Sequence, residues 1–78
     1  MALIKSIERI SLERNTVHGD VRATYCVFRD SRGDAYLQID TYGSPRRQIP
    51  NKTSQTVQFG PEAVAQLREI LDDPQMKS

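Results

Sequence analysis

The sequence predicts an α+β domain in which a four-stranded antiparallel sheet is followed by one C-terminal helix, a ββββα order. Three observations carry this prediction. Two segments in the first half of the chain alternate apolar and polar residues, as strands do. A third alternating segment, 53–59, follows a loop that contains prolines. A helix then begins at Gly60-Pro61, because glycine is tolerated at the N-cap and proline suits the first helical position.

The N-terminal segment permits two interpretations. Apolar residues between positions 3 and 10 have the spacing of an amphipathic helix, whereas Ile10-Ser11-Leu12 alternates as a strand does. We interpret residues 3–14 as a strand with a bulge, because a fourth strand would complete a surface for the helix to cover. Residues 15–20 would then form the first turn.

The next two strands are predicted as a hairpin. The first runs over 21–28, where β-branched and aromatic residues alternate with polar ones. Asp30-Ser31-Arg32-Gly33-Asp34 supplies a polar loop in which the glycine can adopt a positive φ. The returning strand, 36–42, has one apolar face and one polar face. The polar face comprises Tyr36, Gln38, Asp40 and Tyr42.

A loop, a last strand and the helix complete the predicted fold. The loop begins at Gly43-Ser44-Pro45, and strand 53–59 has an outward face that is polar and uncharged. The helix has a cap, a helical spacing of apolar residues and a stop at Pro74, and these three signals agree. Its apolar face comprises Ala63, Val64, Leu67, Ile70 and Leu71. We therefore expect one domain over residues 1–73 and a C-terminal tail over 74–78.

A chain of 78 residues is short for a domain that must bury a core. At this size folding buries only about 60% of the surface that the unfolded chain exposes, so stability is marginal. Small domains compensate with disulfides, metals or association with another chain. Cys26 and His18 are the only residues of their types, so no internal disulfide can form and no Cys/His ligand set exists. We expect a homodimer without a cofactor or a metal.

The same composition bears on the cellular compartment. A lone thiol without a disulfide framework favours the reducing cytoplasm. No signal peptide is visible at the N-terminus, and no run approaches the roughly 20 apolar residues that span a bilayer. We therefore expect a cytoplasmic protein with no membrane association.

Catalytic patterns are scarce in this sequence. A nucleophile must be held against a base, and Cys26 and His18, the only such pair, fall in a strand and in a turn. Asp30 and Asp34 flank a turn, and the isolated glycines do not match a phosphate-binding loop. We therefore expect a protein that is not an enzyme and has no catalytic residues.

Charge is distributed unevenly, although the net charge is +1. Residues 41–61 contain Arg46, Arg47 and Lys52 and no acid, whereas residues 62–73 contain four acids and one arginine. An anionic ligand would therefore approach the loop and be repelled by the helix. Ordinary solvated loop charge is the alternative explanation.

The remaining candidate site lies around the third and fourth strands. It combines aromatic rings, neutral hydrogen-bonding groups and cations, as do proteins on which bases stack while basic side chains follow the phosphate backbone. The candidate nucleic-acid-binding residues are Arg46, Arg47, Lys52, Tyr36, Tyr42, Gln38 and Thr56. Ordinary cross-strand packing of the tyrosines is the alternative.

About half of the chain resembles a known family. The segment from Leu37-Gln38-Ile39-Asp40 to Gly60-Pro61-Glu62 resembles the single-stranded-DNA-binding domain of the positive-cofactor-four transcriptional coactivators, and purine-rich-element-binding domains share this layout. The resemblance implies a dimer whose sheet surfaces and β-loops receive single strands. It also implies that Lys52 matches the lysine before the last strand, and that Arg46 and Arg47 match the basic loop.

Two functions from different classes follow from these observations. The first is a non-catalytic homodimer that binds single-stranded nucleic acid with its sheet face and basic loop. The second is a small protein-interaction module, such as an accessory protein or a phage-type inhibitor, that docks through its sheet or its helix face. The near-neutral total charge and the polar sheet favour the second.

Overall fold

The structure is a computed structural model that describes residues 1–43 and 53–77. The α+β class and the order of four strands before one helix are confirmed. The elements are β1 (Ala2–Ile4), β2 (Ala23–Arg29), β3 (Ala35–Tyr42), β4 (Thr53–Phe59), α1 (Pro61–Leu71) and a 3-10 turn (Pro74–Met76). No helix of the described ranges is long and apolar enough to cross a membrane.

The strands form one sheet in the order β1-β4-β3-β2. The predicted hairpin is present, since β2 pairs antiparallel with β3, and β3 pairs antiparallel with β4. β1 instead pairs parallel with β4, with Ala2 opposite Val57 and Ile4 opposite Phe59. The sheet is therefore mixed, and the prediction of a purely antiparallel sheet is wrong. The reason is that residues 5–22 lead from one edge of the sheet to the other instead of turning back beside β1.

The N-terminal strand is also much shorter than predicted. Within residues 3–14 only the first two belong to a strand, and residues 5–22 form neither strand nor helix. Part of this segment lies against α1, because the Ile7 amide donates a 2.7 Å hydrogen bond to Gln66 Oε1. This contact holds the segment to the helix although the segment has no regular secondary structure.

Two further contacts hold the N-terminal segment to the end of the helix. The Arg9 guanidinium forms an exposed ion pair with the Asp73 carboxylate at 2.8 Å and donates a 3.3 Å hydrogen bond to Gln75. The predicted tail, 74–78, thus begins with a 3-10 turn that contacts the N-terminal segment through Gln75.

A tight turn closes the hairpin between β2 and β3. The Asp30 carboxylate accepts hydrogen bonds from the amides of Arg32 and Asp34 at 2.9 and 3.1 Å. Gly33 has a φ of 88°, a region that residues with a side chain rarely adopt. The turn therefore requires glycine at this position.

The helix begins as predicted and packs on β3 and β4. Gly60 is its N-cap and Pro61 its first residue. The Gly60 amide also donates a 3.0 Å hydrogen bond to the Ile4 carbonyl, which ties the helix start to β1. Ile70 and Leu71 remain 41% and 54% exposed, so the last turn of α1 is only partly covered.

Burial is low for a folded chain. Ala63 is the only buried hydrophobic residue in the part of the chain that is described. All seven residues of the edge strand β2 are exposed, and Tyr25 and Val27, on the same face as α1, are 75% and 65% exposed. Apolar surface of this kind ordinarily marks an interaction site.

Candidate functional site

The candidate site is the sheet face opposite α1, which we call the open face. Cross-strand partners point to the same side of a sheet, so the strand register identifies its members. Among residues 1–43 and 53–77, no helix packs on this face. Its members are Leu3, Thr24, Cys26, Phe28, Tyr36, Gln38, Asp40, Tyr42, Thr56 and Gln58.

The structure brings four of the predicted site residues together on this face. Tyr36, Gln38 and Tyr42 come from alternate positions of β3, and Thr56 lies beside them on β4, opposite Asp40. The other three predicted residues, Arg46, Arg47 and Lys52, lie outside the described residues.

An aromatic pair occupies one end of the open face. The rings of Phe28 and Tyr36 stack with their centroids 5.5 Å apart and their planes 14° apart. The Tyr36 hydroxyl donates a 2.9 Å hydrogen bond to the Asp30 carboxylate, which belongs to the hairpin turn. Gly60 leaves room beside the ring, since a Cβ there would lie 3.9 Å from Tyr36 Cε2. Stacking on one side and a hydrogen bond at the tip together hold the Tyr36 ring in one orientation.

The hydrogen bond between Tyr36 and Asp30 shifts both pKa values. Burial alone would raise the pKa of Asp30, but hydrogen bonds from Tyr36 and from the turn amides outweigh it and lower the pKa. The bond to Asp30 raises the pKa of Tyr36, and burial and the nearby negative charge act in the same direction. At neutral pH the turn carboxylate is therefore ionised, and Tyr36 is an uncharged ring.

Tyr42 occupies the other end of the open face. The Arg22 guanidinium carbon lies 4.1 Å from the centroid of its ring, which is a cation–π contact. The Tyr42 hydroxyl lies 3.0 Å from Thr24 Oγ1. The register shifts between Thr41 and Tyr42, so that Tyr42 pairs with Thr53. The segment that carries the predicted cations leaves and re-enters the sheet at this pair.

A chain of hydrogen bonds lies between the two aromatic ends. Gln58 Nε2 donates to Gln38 Oε1 at 3.0 Å, and Gln38 Nε2 donates to Asp40 Oδ2 at 3.1 Å. The Thr56 hydroxyl donates to Asp40 Oδ1 at 2.6 Å. The bond from Thr56 contributes most to lowering the pKa of Asp40, the bond from Gln38 adds to it, and partial burial opposes both. The centre of the open face is therefore a fixed, ionised carboxylate surrounded by neutral donors.

Three contributors to this surface were not predicted. Phe28 points to the opposite face of β2 from Tyr25 and Val27, and it pairs with Tyr36 across the hairpin. The alternation within β2 could therefore have predicted that Phe28 lies on the same face as Tyr36. The roles of Arg22 and Asp30 depend on side-chain contacts that alternation does not specify. No three His, Cys, Asp or Glu side chains cluster as metal ligands in the described part of the chain.

Replacing Tyr36 by phenylalanine tests the hydrogen bond that orients its ring. The variant keeps the ring but loses the donor, so the pKa of Asp30 should rise toward its ordinary value. Asp73 is the internal control, because its pKa is lowered by the Gln75 amide and by Arg9. An NMR titration of the carboxyl carbons measures both groups, and an unchanged Asp30 pKa would contradict the contact.

The same variant has a predicted pH dependence of stability. A folded-state pKa below the unfolded value stabilises the fold at neutral pH, and this contribution is lost as pH falls through the folded-state pKa. Tyr36→Phe should therefore lose less stability than the unsubstituted protein between about pH 5 and pH 2. Urea unfolding across this range measures the difference.

Comparison of the chain with protein-family models, with curated proteins and with solved structures found no match.

Proposed function

We propose that this protein is a non-catalytic binder of single-stranded nucleic acid that acts as a homodimer. The observation that carries the proposal is the open face, which presents aromatic rings at both ends and hydrogen-bonding groups between them. Single-stranded nucleic acid is bound by this combination, because every base has a face that can stack on a ring and an edge that can form hydrogen bonds.

The dimensions of the open face suit several nucleotides. Tyr36 and Tyr42 lie on one strand, about 20 Å apart at about 3.4 Å per residue. Phe28 widens the platform at the first end by stacking on Tyr36. Base stacking on such rings contributes about 1–3 kcal/mol for each base, largely without regard to sequence.

Electrostatics favour an approach to the Tyr42 end. Arg22 lies over the Tyr42 ring, and the segment with Arg46, Arg47 and Lys52 joins β3 to β4 at the same end. Two of the four acids of residues 62–73, Glu62 and Glu69, belong to α1, which packs on the opposite face of the sheet. A phosphate backbone is therefore attracted to the Tyr42 end and kept away from the helix.

A second copy of the chain would cover apolar surface that the monomer exposes. β2 is an edge strand, and the exposed side chains of Tyr25 and Val27 lie on its helix side. A groove of about 410 Å³ separates β2 from α1 and is lined by Val27, Leu37 and Val64. Antiparallel pairing of two β2 edges is self-complementary and would make one continuous sheet. The open faces of both copies would then form a single longer surface.

A titration with a labelled single-stranded oligonucleotide tests the proposed binding. Affinity should fall as salt rises, because bound phosphates release counterions. Arg46→Ala combined with Arg47→Ala should weaken binding and reduce the slope of log affinity against log salt by about 1.4, at about 0.7 for each phosphate. Fluorescence polarisation at several salt concentrations measures both effects.

The matched control for that titration is Arg68→Ala combined with Lys77→Ala. It removes the same charge from the helix and the residue after the 3-10 turn, so the salt slope should stay unchanged. Absence of binding by the unsubstituted protein at low salt would contradict the proposed function. Equal slopes for the two double variants would contradict the assignment to the loop.

Val27→Glu tests the proposed dimer. A charge buried at the paired β2 edges would be costly, so the variant should be monomeric where the unsubstituted protein is dimeric. Val17→Glu is the matched control, because Val17 is fully exposed and lies outside the sheet. Sedimentation equilibrium measures the masses. An unsubstituted protein that is monomeric at every concentration would overturn the dimer.

A second candidate function is supported by the same free edge. An edge strand can accept a strand from another protein, with main-chain hydrogen bonds supplying affinity. Purification from lysate after nuclease treatment separates the two functions. A stoichiometric protein partner that is retained without nucleic acid would favour the interaction module, whereas co-purifying nucleic acid would favour the first proposal.

A further inference from the structure

The hydrogen-bond network at the centre of the open face leaves several acceptor atoms available to a ligand. Asp40 is the charged residue at the centre of this network, and its carboxylate can only accept. The Thr56 hydroxyl donates its one O–H to Asp40, so its remaining lone pairs can only accept. Gln58 donates to Gln38 through its Nε2. Its Oε1 accepts no hydrogen bond from the described residues and is a further acceptor.

The carboxylate is held in position before any ligand binds. Thr56, on the neighbouring strand, donates to Oδ1 at 2.6 Å, and Gln38 Nε2 donates to Oδ2 at 3.1 Å and more weakly to Oδ1 at 3.4 Å. A carboxylate has about four lone-pair sites, two on each oxygen, so Oδ2 keeps one open site and Oδ1 can exchange its weak 3.4 Å contact with Gln38 for a stronger donor. A ligand with two adjacent N–H donors could therefore bind while the two shorter contacts remain, as paired donors bind carboxylates elsewhere.

The position of Asp40 suits a base that stacks on Tyr42. The two residues alternate on the same face of β3, about 7 Å apart at about 3.4 Å per residue. Arg22 covers one face of the Tyr42 ring, so a base would stack on the other face, from which its edge can reach the carboxylate. The rest of the acceptor surface, on Thr56 and Gln58, continues away from Tyr42 along β4.

The four bases differ in what they offer to such a surface. Guanine has its N1–H and its 2-amino group side by side on the Watson–Crick edge. Adenine and cytosine have one amino group next to a ring acceptor, and thymine and uracil have one N–H between two carbonyl oxygens. A carboxylate repels acceptors and binds adjacent donors, so guanine alone matches it with two parallel hydrogen bonds.

We propose that Asp40 is a specificity-determining residue that selects guanine at one position of the bound strand, by accepting hydrogen bonds from N1–H and the 2-amino group. This inference rests on the proposed function and adds a base preference to it. Stacking on Tyr36 and Tyr42 depends little on which base is bound. Asp40 instead forms hydrogen bonds with the Watson–Crick edge of one base.

The test uses three oligonucleotides of thymidine that differ at one central position. That position holds guanine, hypoxanthine, which lacks the 2-amino group, or thymine. A single guanine also avoids the self-association of guanine runs. The protein should bind the guanine strand about tenfold more tightly than the hypoxanthine strand, as expected for one hydrogen bond to a charged acceptor. Fluorescence polarisation measures all three affinities at one salt concentration.

Asp40→Asn should abolish the difference between the guanine and hypoxanthine strands. Loss of a negative charge can raise affinity for all strands, so the ratio of the two affinities is the readout. Asp20→Asn, which makes the same charge change in the exposed segment before β2, should keep the ratio. Equal binding of all three strands by the unsubstituted protein would overturn the base preference and leave the proposed function standing. Binding of none of them would overturn both.

Discussion

The packing of one helix against two of the four strands is the constraint on which the rest of the structure depends. A helix with its side chains is about 10–12 Å wide and strands lie about 4.8 Å apart, so α1 covers little more than two strands. It packs on β3 and β4, and it leaves the apolar residues Tyr25 and Val27 of β2 exposed. The chain has no second helix for the opposite side of the sheet among the described residues. An exposed apolar edge and an uncovered polar face are direct consequences.

The uncovered face is ordered by its own side chains. Asp30 orients Tyr36, Arg22 lies over Tyr42, and a continuous hydrogen-bonded chain between them ends on Asp40. Side chains that are already held in place lose little conformational entropy when a ligand binds. The open face is therefore preorganised for ligand binding. The same contacts raise the pKa of Tyr36 and lower the pKa values of Asp30 and Asp40, so Tyr36 is an uncharged stacking platform and the two carboxylates are ionised acceptors at neutral pH.

Local signals in the sequence predicted most of the fold. The hairpin, β4 and the helix start at Gly60-Pro61 each depend on alternation, turn chemistry or capping within a few residues. The parallel pairing of Ala2–Ile4 with β4 joins opposite ends of the chain, and a three-residue strand has too few positions to show a period. Alternation was enough to predict that Tyr36 and Tyr42 share a face. The contacts of Asp30 could not be predicted, because they depend on side-chain geometry across the turn.

The central claim is that single-stranded nucleic acid lies on the open face, and Cys26 provides a direct test. It is the only cysteine, it is exposed, and it lies on this face opposite Gln38. The rate at which a maleimide alkylates Cys26 can be followed by mass spectrometry with and without a saturating oligonucleotide. The account predicts that the oligonucleotide slows alkylation, and that high salt, which releases the strand, restores the rate. An unchanged rate on the saturated protein would mean that the strand binds elsewhere and would contradict the account.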